Sequence, residues 1–297
     1  PAFYSEWLLN RLHAGFVLTR NPINHAQVSK IILNPDVVDC IVFWTKDPLN
    51  MLDKLDAIDK LGYKYYFQFT LTPYDKSVEN GLRDKEEIMK TFCELSTRIG
   101  KDKVIWRYDP IILNEIFDFA FHKKQFSRLC SRLGKFARQC IISFVDMYPK
   151  LRTDILREIS MNEMIELAEM ISSTAKDFGI TVKACCEKSF LHKYGIEQAN
   201  CIDKALVESI CGYSLDLKRD KNQRDLCGCY ESVDIGAYNT CKNGCIYCYA
   251  NYSDVAVNNN CKRHDPRGEL LIGQIGDNDK ITIRNVNTNK YGQIKLS

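Results

Sequence analysis

The chain has little net charge and few histidines. Its 297 residues include 41 Lys and Arg against 38 Asp and Glu, which gives a formal net charge of +3, and only 5 His. No run of basic residues is long enough to form an arm that binds nucleic acid. The composition therefore leaves a nucleic-acid partner unproven.

The chain also lacks any segment suited to a membrane or to common nucleotide cofactors. No apolar run reaches the ~18 residues that a transmembrane helix needs, and no signal peptide is visible, so we expect no membrane partner. The sequence begins at Pro1 without an initiator Met, which predicts a processed or incomplete N-terminus. Glycine patterns of the dinucleotide-binding and P-loop types are absent, as is a Ser, His and Asp nucleophile arrangement.

Cysteine, in contrast, is abundant. The chain has 14 cysteines, clustered rather than spread as in a secreted disulfide framework, and no export signal accompanies them. Thiols stay reduced in the cytosol, where clustered cysteines more often bind metal ions than form disulfides. We therefore expect a cytoplasmic protein with metal-bound thiolates.

Apolar segments alternate with amphipathic ones over the first two hundred residues. The apolar segments predict strands, and they are 39–48, 65–73, 103–111, 140–148 and 180–187. The amphipathic segments predict helices, and they are 3–13, 48–61, 84–99, 119–134 and 161–178. Continuous apolar strands separated by helices indicate a parallel sheet covered by helices. The predicted fold class is α/β, a partial or full (β/α) TIM-type barrel of roughly six to eight strands with a C-terminal Cys-rich metal-binding segment.

The sequence predicts a division of the chain into three parts. Residues 1–213 form the barrel, residues 214–265 the Cys-rich iron–sulfur segment, and residues 266–297 a tail with a short hairpin around Asp277–Lys280. The tail is predicted from a turn-like sequence between two apolar stretches.

Each predicted strand turns polar at its C-terminal end. The residues concerned include Thr45 and Lys46, and the catalytic candidates among them are Arg107, Asp109, Asp146 and Glu187. In a β/α barrel the carboxyl ends of the strands form the mouth where chemistry takes place. Any one of these residues could instead be a simple turn or helix-capping residue, as we expect for Asp47; as a set they favour a lined cavity.

The stretch from Cys227 to Asn251 carries the most specific motif. Its residues Cys241, Cys245 and Cys248 have the spacing C-x3-C-x2-C. An electron-transfer [4Fe–4S] cluster normally has four cysteine ligands, so three leave one iron open to a small molecule such as S-adenosylmethionine. The alternative is a closed zinc site, in which Cys227 and Cys229 join Cys245 and Cys248.

This loop is similar to that of the radical S-adenosylmethionine enzymes, and TCKNGCIYCYA resembles the spore-photoproduct-lyase-like members. The resemblance implies a [4Fe–4S] cluster, S-adenosylmethionine and a reductant such as flavodoxin or ferredoxin. Tyr247 stands where these enzymes carry an aromatic residue beside the adenine, and Asn251 is the second candidate for contact with the cofactor.

The whole chain also resembles an uncharacterised bacterial domain-of-unknown-function family with such a motif in its C-terminal half. The shared landmarks are PAFYSEW (1–7), DCIVFWTKDP (39–48), YYFQFTLTPY (65–74), VIWRYDPI (104–111), ISFVDMY (142–148), GIEQANCID (195–203) and DIGAYNTCKNGCIYCYAN (234–251). Members of that family usually begin with a further short strand containing Ser-Arg-Arg-Thr-Asp before the position of Pro1, so the resemblance implies that residues 1–213 are missing the first strand of the barrel. Radical enzymes of the usual order carry the loop after their first strand. Here it follows the sheet, so either the barrel is permuted or the loop folds back over the mouth.

The remaining cysteines predict a second metal centre. Cys40, Cys93 and Cys140 lie in apolar runs and are expected in the core. Cys227 and Cys229 lie between a charged connection and a Tyr, where packing gives no reason for two thiols. With Cys185 and Cys201 they are predicted to hold an auxiliary iron–sulfur cluster, or else zinc, with Cys186 as an alternative to Cys185. Unligated thiols or incidental disulfides are the other possibility.

These patterns favour a radical S-adenosylmethionine enzyme of unknown substrate. The cluster would split S-adenosylmethionine to a 5′-deoxyadenosyl radical, which then acts on the substrate. The alternatives from other classes are a zinc-stabilised binding protein without catalysis and an iron–sulfur electron-transfer or sensor protein.

Overall fold

The computed structural model describes residues 1–148, 151, 155–187, 189–224, 226–284 and 287–291. They form a mixed α/β fold with two sheets. The strands are β1 (Phe16–Arg20), β2 (Gln27–Ile32), β3 (Ile41–Thr45), β4 (Tyr65–Thr70), β5 (Val104–Ile111), β6 (Gln139–Phe144), β7 (Thr181–Ala184), β8 (Glu197–Gln198) and β9 (Lys280–Arg284). The α-helices are α1 (Ser5–Ala14), α2 (Leu49–Leu52), α3 (Leu55–Lys60), α4 (Lys85–Ile99), α5 (Phe119–Leu133), α6 (Met161–Asp177), α7 (Lys204–Cys211) and α8 (Asp254–Lys262).

The larger sheet has six strands in the order β3-β4-β5-β6-β7-β8, and every neighbouring pair is parallel. The strands therefore lie in the sheet in the same order as in the sequence. Each connection places the next strand beside the one before it, always in the same direction across the sheet. The central strands are buried on both faces, as Tyr66, Phe67 and Phe69 of β4 illustrate, which is why their sequences read as unbroken apolar runs. The predicted parallel sheet covered by helices is confirmed.

Helix ends follow the local sequence signals. Helix α1 ends at Gly15, whose φ of 74° is a left-handed conformation that favours glycine. The side chain of Asp84 caps α4 by accepting hydrogen bonds from the backbone of Glu86 and Glu87. Ser160 and Glu163 form the predicted capping box of α6. Across the ranges described, no helix has both the length and the apolarity needed to cross a bilayer.

The predicted helix over 48–61 is interrupted, and the prediction of one continuous helix is wrong. Helices α2 and α3 are separated at Asp53–Lys54, where the backbone N–H of Lys54 bonds to the carbonyl of Met51 in a tight turn. Pro48, rather than Asp47, occupies the N-cap position. The Asp47 carboxylate accepts a hydrogen bond of 3.2 Å from the backbone of Leu49 and forms an ion pair with Arg83. The buried stripe persists across the break, since the turn keeps its apolar side chains on the core.

A large core receives side chains from all three predicted parts of the chain. It includes Trp7 and Leu271 as buried members, and Ile235 and Tyr247 pack against it. The three-part division stays a prediction, but its parts share this core. Cys140 is buried in it, while Cys93 and Cys40 are half-buried against core clusters.

The C-terminal tail joins the smaller sheet. Its order is β1-β2-β9, with β1 and β2 antiparallel and β2 and β9 parallel. Strand β9 thus pairs with a strand some 250 residues earlier in the sequence, at Gln27 opposite Lys280, instead of forming a hairpin with the residues just before it. Leu270 of the tail bridges Leu18 of β1.

Candidate functional site

The carboxyl ends of the parallel strands meet at one edge of the large sheet, and the predicted polar residues lie there. Lys46 follows β3, Arg107 and Asp109 belong to β5, and Asp146 and Glu187 follow β6 and β7. Parallel alignment brings these residues to a common edge although they are distant in sequence.

The cysteine loop docks on this edge by backbone pairing. Cys245 forms an antiparallel bridge with Glu79, in the segment after β4. The N–H of Ile246 donates to the carbonyl of Val78 at 3.0 Å, and the N–H of Gly81 donates to the carbonyl of Asn243 at 2.9 Å. The loop therefore folds back onto the carboxyl edge of the sheet, the second of the two arrangements predicted.

The Glu79 carboxylate holds the loop on the edge of the sheet through hydrogen bonds. Its side chain is fully buried, with 0 % exposure. It accepts hydrogen bonds of 2.9 Å from Lys46 Nζ and from Thr72 Oγ1, and further hydrogen bonds from Lys85 Nζ and the hydroxyl of Tyr247. One carboxylate thus joins the end of β3, the segment after β4, the first turn of α4 and the loop. Sequence reasoning missed Glu79, because an acidic residue in a polar segment gives no signal of its tertiary partners.

The two lysines beside Glu79 favour its ionised form, the carboxylate. Burial raises the pKa of Glu79, but Lys46 and Lys85 outweigh burial and lower that pKa to about 2. Burial lowers the pKa of Lys46, yet Glu79 and the Cys245 thiol raise it above the ordinary value. The pKa of Lys85 is lowered, because burial and the Lys46 charge together exceed the effect of Glu79. Two cations against one anion leave one positive charge beside the thiols when both lysines are protonated.

The three thiols of the loop lie close to one another and to this charge. All three are half-buried. Burial raises the pKa of Cys245 to about 12; Lys46 lowers it, and charge on Cys241 or Cys248 raises it. Thiolates are the form that binds metals, and the Lys46 ammonium favours the thiolate of Cys245 because it lowers the pKa of that thiol.

Tyr247 and Asn251 hold the loop together. The Tyr247 ring lies 6.5 Å from the Tyr74 ring, with the Lys46 ammonium 5.1 Å from its centroid. Asn251 Nδ2 donates a 2.7 Å hydrogen bond to the carbonyl of Cys241. Its Oδ1 atom is buried and, within the part of the chain that is described, has no hydrogen-bond partner. A buried acceptor without a donor is costly, so this atom is a candidate ligand contact.

Arg107, which is buried, forms an ion pair with the half-buried Asp109 farther along the edge. Arg107 Nε donates to Asp109 Oδ2 at 2.9 Å, and its Nη1 donates to Cys201 Sγ at 3.0 Å. The guanidinium carbon lies 4.9 Å from the centroid of the Trp44 ring, which is 47 % exposed. Burial lowers the pKa of Arg107, but Asp109 and the Cys201 thiol raise it well above the ordinary value. Arg107 therefore stays charged.

Glu187 and Asp146 differ in their surroundings. Glu187 Oε1 accepts a 2.9 Å hydrogen bond from the backbone of Phe144, and burial raises the pKa of Glu187 to about 7. The side chain of Asp146 is 54 % exposed and forms an ion pair with Arg224. Asp146 thus lies at the outer rim, whereas Glu187 is half-buried.

The other predicted ligands gather in a second group. Cys185, Cys201, Cys227 and Cys229 lie together beside Arg107. The zinc set that combines Cys227 and Cys229 with Cys245 and Cys248 stays a prediction. Among the residues described, no three Cys, His, Asp or Glu side chains are already arranged around a common point as a metal shell.

Comparison with known proteins identifies a family but no activity. A family model described as Domain of unknown function (DUF1848) matches residues 1–250. That range includes both groups of thiols and all strands of the large sheet. No curated protein matches the chain.

Gly81 provides a test of loop docking. A Cβ atom at Gly81 would lie 2.1 Å from the carbonyl oxygen of Lys242 and 2.9 Å from the carbonyl carbon of Asn243. We expect Gly81→Ala to push the loop off the edge and to cost about 1–3 kcal/mol. Limited proteolysis should cleave the loop faster in this variant. Gly276→Ala is the matched control, because a Cβ there meets nothing within 4 Å; equal protection of the loop in both variants would contradict the docking.

The pH dependence of unfolding tests the Glu79 anchor. The pKa of Glu79 falls from 4.5 to about 2 on folding, so its contribution is complete above the unfolded value and is lost as pH falls through the folded one. We expect the free energy of unfolding to drop by up to about 3 kcal/mol on this account, and Glu79→Gln to remove that part of the slope. Denaturant titrations between about pH 5 and pH 3 measure the first part of this loss, about 2 kcal/mol, because the rest follows only as pH falls through about 2. A slope in Glu79→Gln equal to that in Glu115→Gln, which alters an exposed carboxylate, would refute the anchor.

Proposed function

We propose that this chain, which belongs to the DUF1848 family, is a radical S-adenosylmethionine enzyme that holds a [4Fe–4S] cluster through Cys241, Cys245 and Cys248. The observation that carries the proposal is the docking of a three-thiol loop on the carboxyl edge of a parallel sheet, beside Lys46. This edge is where β/α enzymes build active sites.

The residues present fit such a group. Three thiolates from one loop supply three of the four ligands that a cubane cluster takes. The positive charge of the Lys46, Glu79 and Lys85 cluster favours a bound anion, because deprotonated thiols and a thiolate-bound cluster are both negative. The unpartnered Oδ1 atom of Asn251 offers a buried acceptor close to Cys241, where an amino or hydroxyl group could donate.

A bound cluster would supply one electron to S-adenosylmethionine and so release methionine and a 5′-deoxyadenosyl radical, with the cofactor performing the difficult chemistry. The chain's own residues bind, orient and exclude water. Glu79 and Tyr247 fix the loop on the sheet. Arg107 and Asp109, with Glu187 and Asp146 nearer the rim, are the candidates for contact with substrate or cofactor.

We further propose that the six-stranded sheet is the wall of a partial (β/α) barrel. The strand order that follows the chain supports this, because a doubly wound sheet reverses its order at a switch point. Trp44, exposed at the mouth and stacked on Arg107, offers a flat apolar surface to a ligand. A flavodoxin or ferredoxin is the expected reductant.

An electron-transfer or sensor protein is the rival that one contact favours. Cys261 Sγ lies 4.0 Å from the carbonyl oxygen of Thr240 and 3.3 Å from the Tyr4 hydroxyl, next to the first ligand of the loop. If Cys261 completed the set, the cluster would have four protein ligands and no open iron. The zinc-stabilised binding protein is distinguished more simply, because its loop would hold zinc and neither iron nor sulfide.

The cleavage of S-adenosylmethionine separates these functions. Anaerobically reconstituted protein should bind four irons and four sulfides at the loop and, with dithionite, should convert S-adenosylmethionine to 5′-deoxyadenosine. The triple variant Cys241→Ala/Cys245→Ala/Cys248→Ala should lose both properties, while Cys261→Ala should retain both. Loss of the cluster in Cys261→Ala, or an intact cluster that yields no 5′-deoxyadenosine, would support the rival.

A further inference from the structure

Five thiols lie in one group beside Arg107. Cys185 Sγ lies 3.2 Å from Cys201 Sγ and 4.0 Å from Cys186 Sγ. Cys229 Sγ lies 3.2 Å from the backbone N of Cys201, and Cys227 is two residues before Cys229 in the same short segment. The five residues come from three separate segments of the chain.

Hydrogen-bond donors point at these sulfurs. The backbone N–H groups of Cys201 and Ile202 donate to Cys229 Sγ at 3.2 and 3.5 Å. Arg107 Nη1 donates to Cys201 Sγ at 3.0 Å. Donors of this kind stabilise metal-bound thiolates and orient them. Cys185, Cys201 and Cys229 are buried, at 8 %, 3 % and 7 % exposure, so the donors act away from bulk water.

Backbone contacts hold the segment that carries Cys227 and Cys229 against the residues that precede α7. The N–H of Tyr230 donates to the carbonyl of Ile202 at 3.2 Å, and the N–H of Cys201 donates to Cys229 Sγ at 3.2 Å. A Cβ atom at Gly228 would lie 2.1 Å from Asn200 Oδ1, so the Asn200 side chain also packs on this segment.

We propose that Cys185, Cys201, Cys227 and Cys229 bind one thiophilic divalent ion of the zinc type in tetrahedral coordination. Zinc–sulfur bonds of about 2.3 Å place tetrahedral thiolates about 3.8 Å apart, and the contact of 3.2 Å between Cys185 and Cys201 within this set is only slightly shorter. A cubane cluster attaches its thiolates at four separate irons and so needs a wider set. Of the two occupants that the sequence left open, the spacing favours zinc over an auxiliary iron–sulfur cluster.

Binding of the ion would require only a small shift of the sulfur atoms. The 3.2 Å contact between Cys185 and Cys201 is shorter than the tetrahedral edge, so these two sulfurs must separate by roughly half an ångström to admit the ion. The thiol protons leave as the ion enters, since thiolates are the ligands. Arg107 offsets part of the negative charge of a four-thiolate shell.

Cys186 is assigned outside the ligand set. The N–H of Cys185 donates to the carbonyl of Ile142 at 2.9 Å and so continues the pairing of β7 with β6, which holds Cys185 rigidly. Cys186 comes after this last sheet hydrogen bond and has a φ of 56°, a conformation uncommon for a residue with a side chain. A ligand on the sheet is better positioned than one beyond it.

The test uses the full chain without its loop thiols, so that it does not depend on the proposed enzyme. Cys241→Ala/Cys245→Ala/Cys248→Ala is purified under reducing conditions and loaded with Zn²⁺ or with Co²⁺, whose visible spectrum reports tetrahedral thiolate coordination. We expect about one ion per chain, as for a structural four-thiolate site. Adding Cys227→Ala and Cys229→Ala should abolish binding, whereas adding Cys186→Ala should leave it intact.

Four results would overturn the proposal. They are no ion in the variant without loop thiols, iron with stoichiometric sulfide in place of a single ion, a Cys185–Cys201 disulfide that persists in reductant and blocks loading, and loss of the ion on adding Cys186→Ala. Because the variant lacks the three loop thiols, failure of the radical chemistry leaves this test unaffected, and failure here leaves the loop cluster unaffected.

Discussion

The arrangement of the site depends on one buried carboxylate. The Glu79 carboxylate is surrounded by two ammonium groups and two hydroxyls. The backbone of Glu79 also pairs with the backbone of Cys245. A buried charge is tolerated only when its partners are complete, and removing one partner of a buried ion pair typically costs about 3–5 kcal/mol. Because all of these partners must be present, Glu79 fixes the end of β3, the start of α4 and the cysteine loop next to one another.

A second buried charge links this region to the other thiols. Arg107 donates to Asp109 and to Cys201, and both Asp109 and Cys245 raise the pKa of Lys46. A row of neighbouring charged groups therefore connects the two groups of thiols. It runs from the loop to Lys46, then to Asp109 and Arg107, and ends at the five thiols beside Arg107. Each group lies at the carboxyl edge of the same sheet. The parallel topology explains why residues separated by more than a hundred positions act in one electrostatic environment.

Much of the fold could be predicted from the sequence, because buried parallel strands leave a strong pattern. The strands from β3 to β7 and the ends of α1 and α6 follow directly from apolar runs, capping residues and glycine. The thiol spacing of the loop and the grouping of Cys185, Cys201, Cys227 and Cys229 were also visible. Spacing along the sequence does not decide what these thiols bind, since the same sequence spacings serve zinc and iron–sulfur clusters.

The features that escaped prediction depend on distant contacts. Glu79 resembles any polar loop residue until its four partners are known. The break at Asp53–Lys54 interrupts an apolar stripe that remains intact, so the pattern gives no sign of it. Strand β9 pairs with β2 because the chain returns there, and no local signal encodes that partner.

The proposed function requires that S-adenosylmethionine binds an open iron of the loop cluster. Electron–nuclear double resonance on the anaerobically reduced protein can detect this binding, with S-adenosylmethionine labelled with ¹⁵N at the amino group. We expect a hyperfine coupling from that nitrogen to the reduced cluster, present in Cys261→Ala and absent in the Cys241→Ala/Cys245→Ala/Cys248→Ala variant. A reduced cluster whose spectrum shows no coupling to the labelled nitrogen would rule out binding at an open iron.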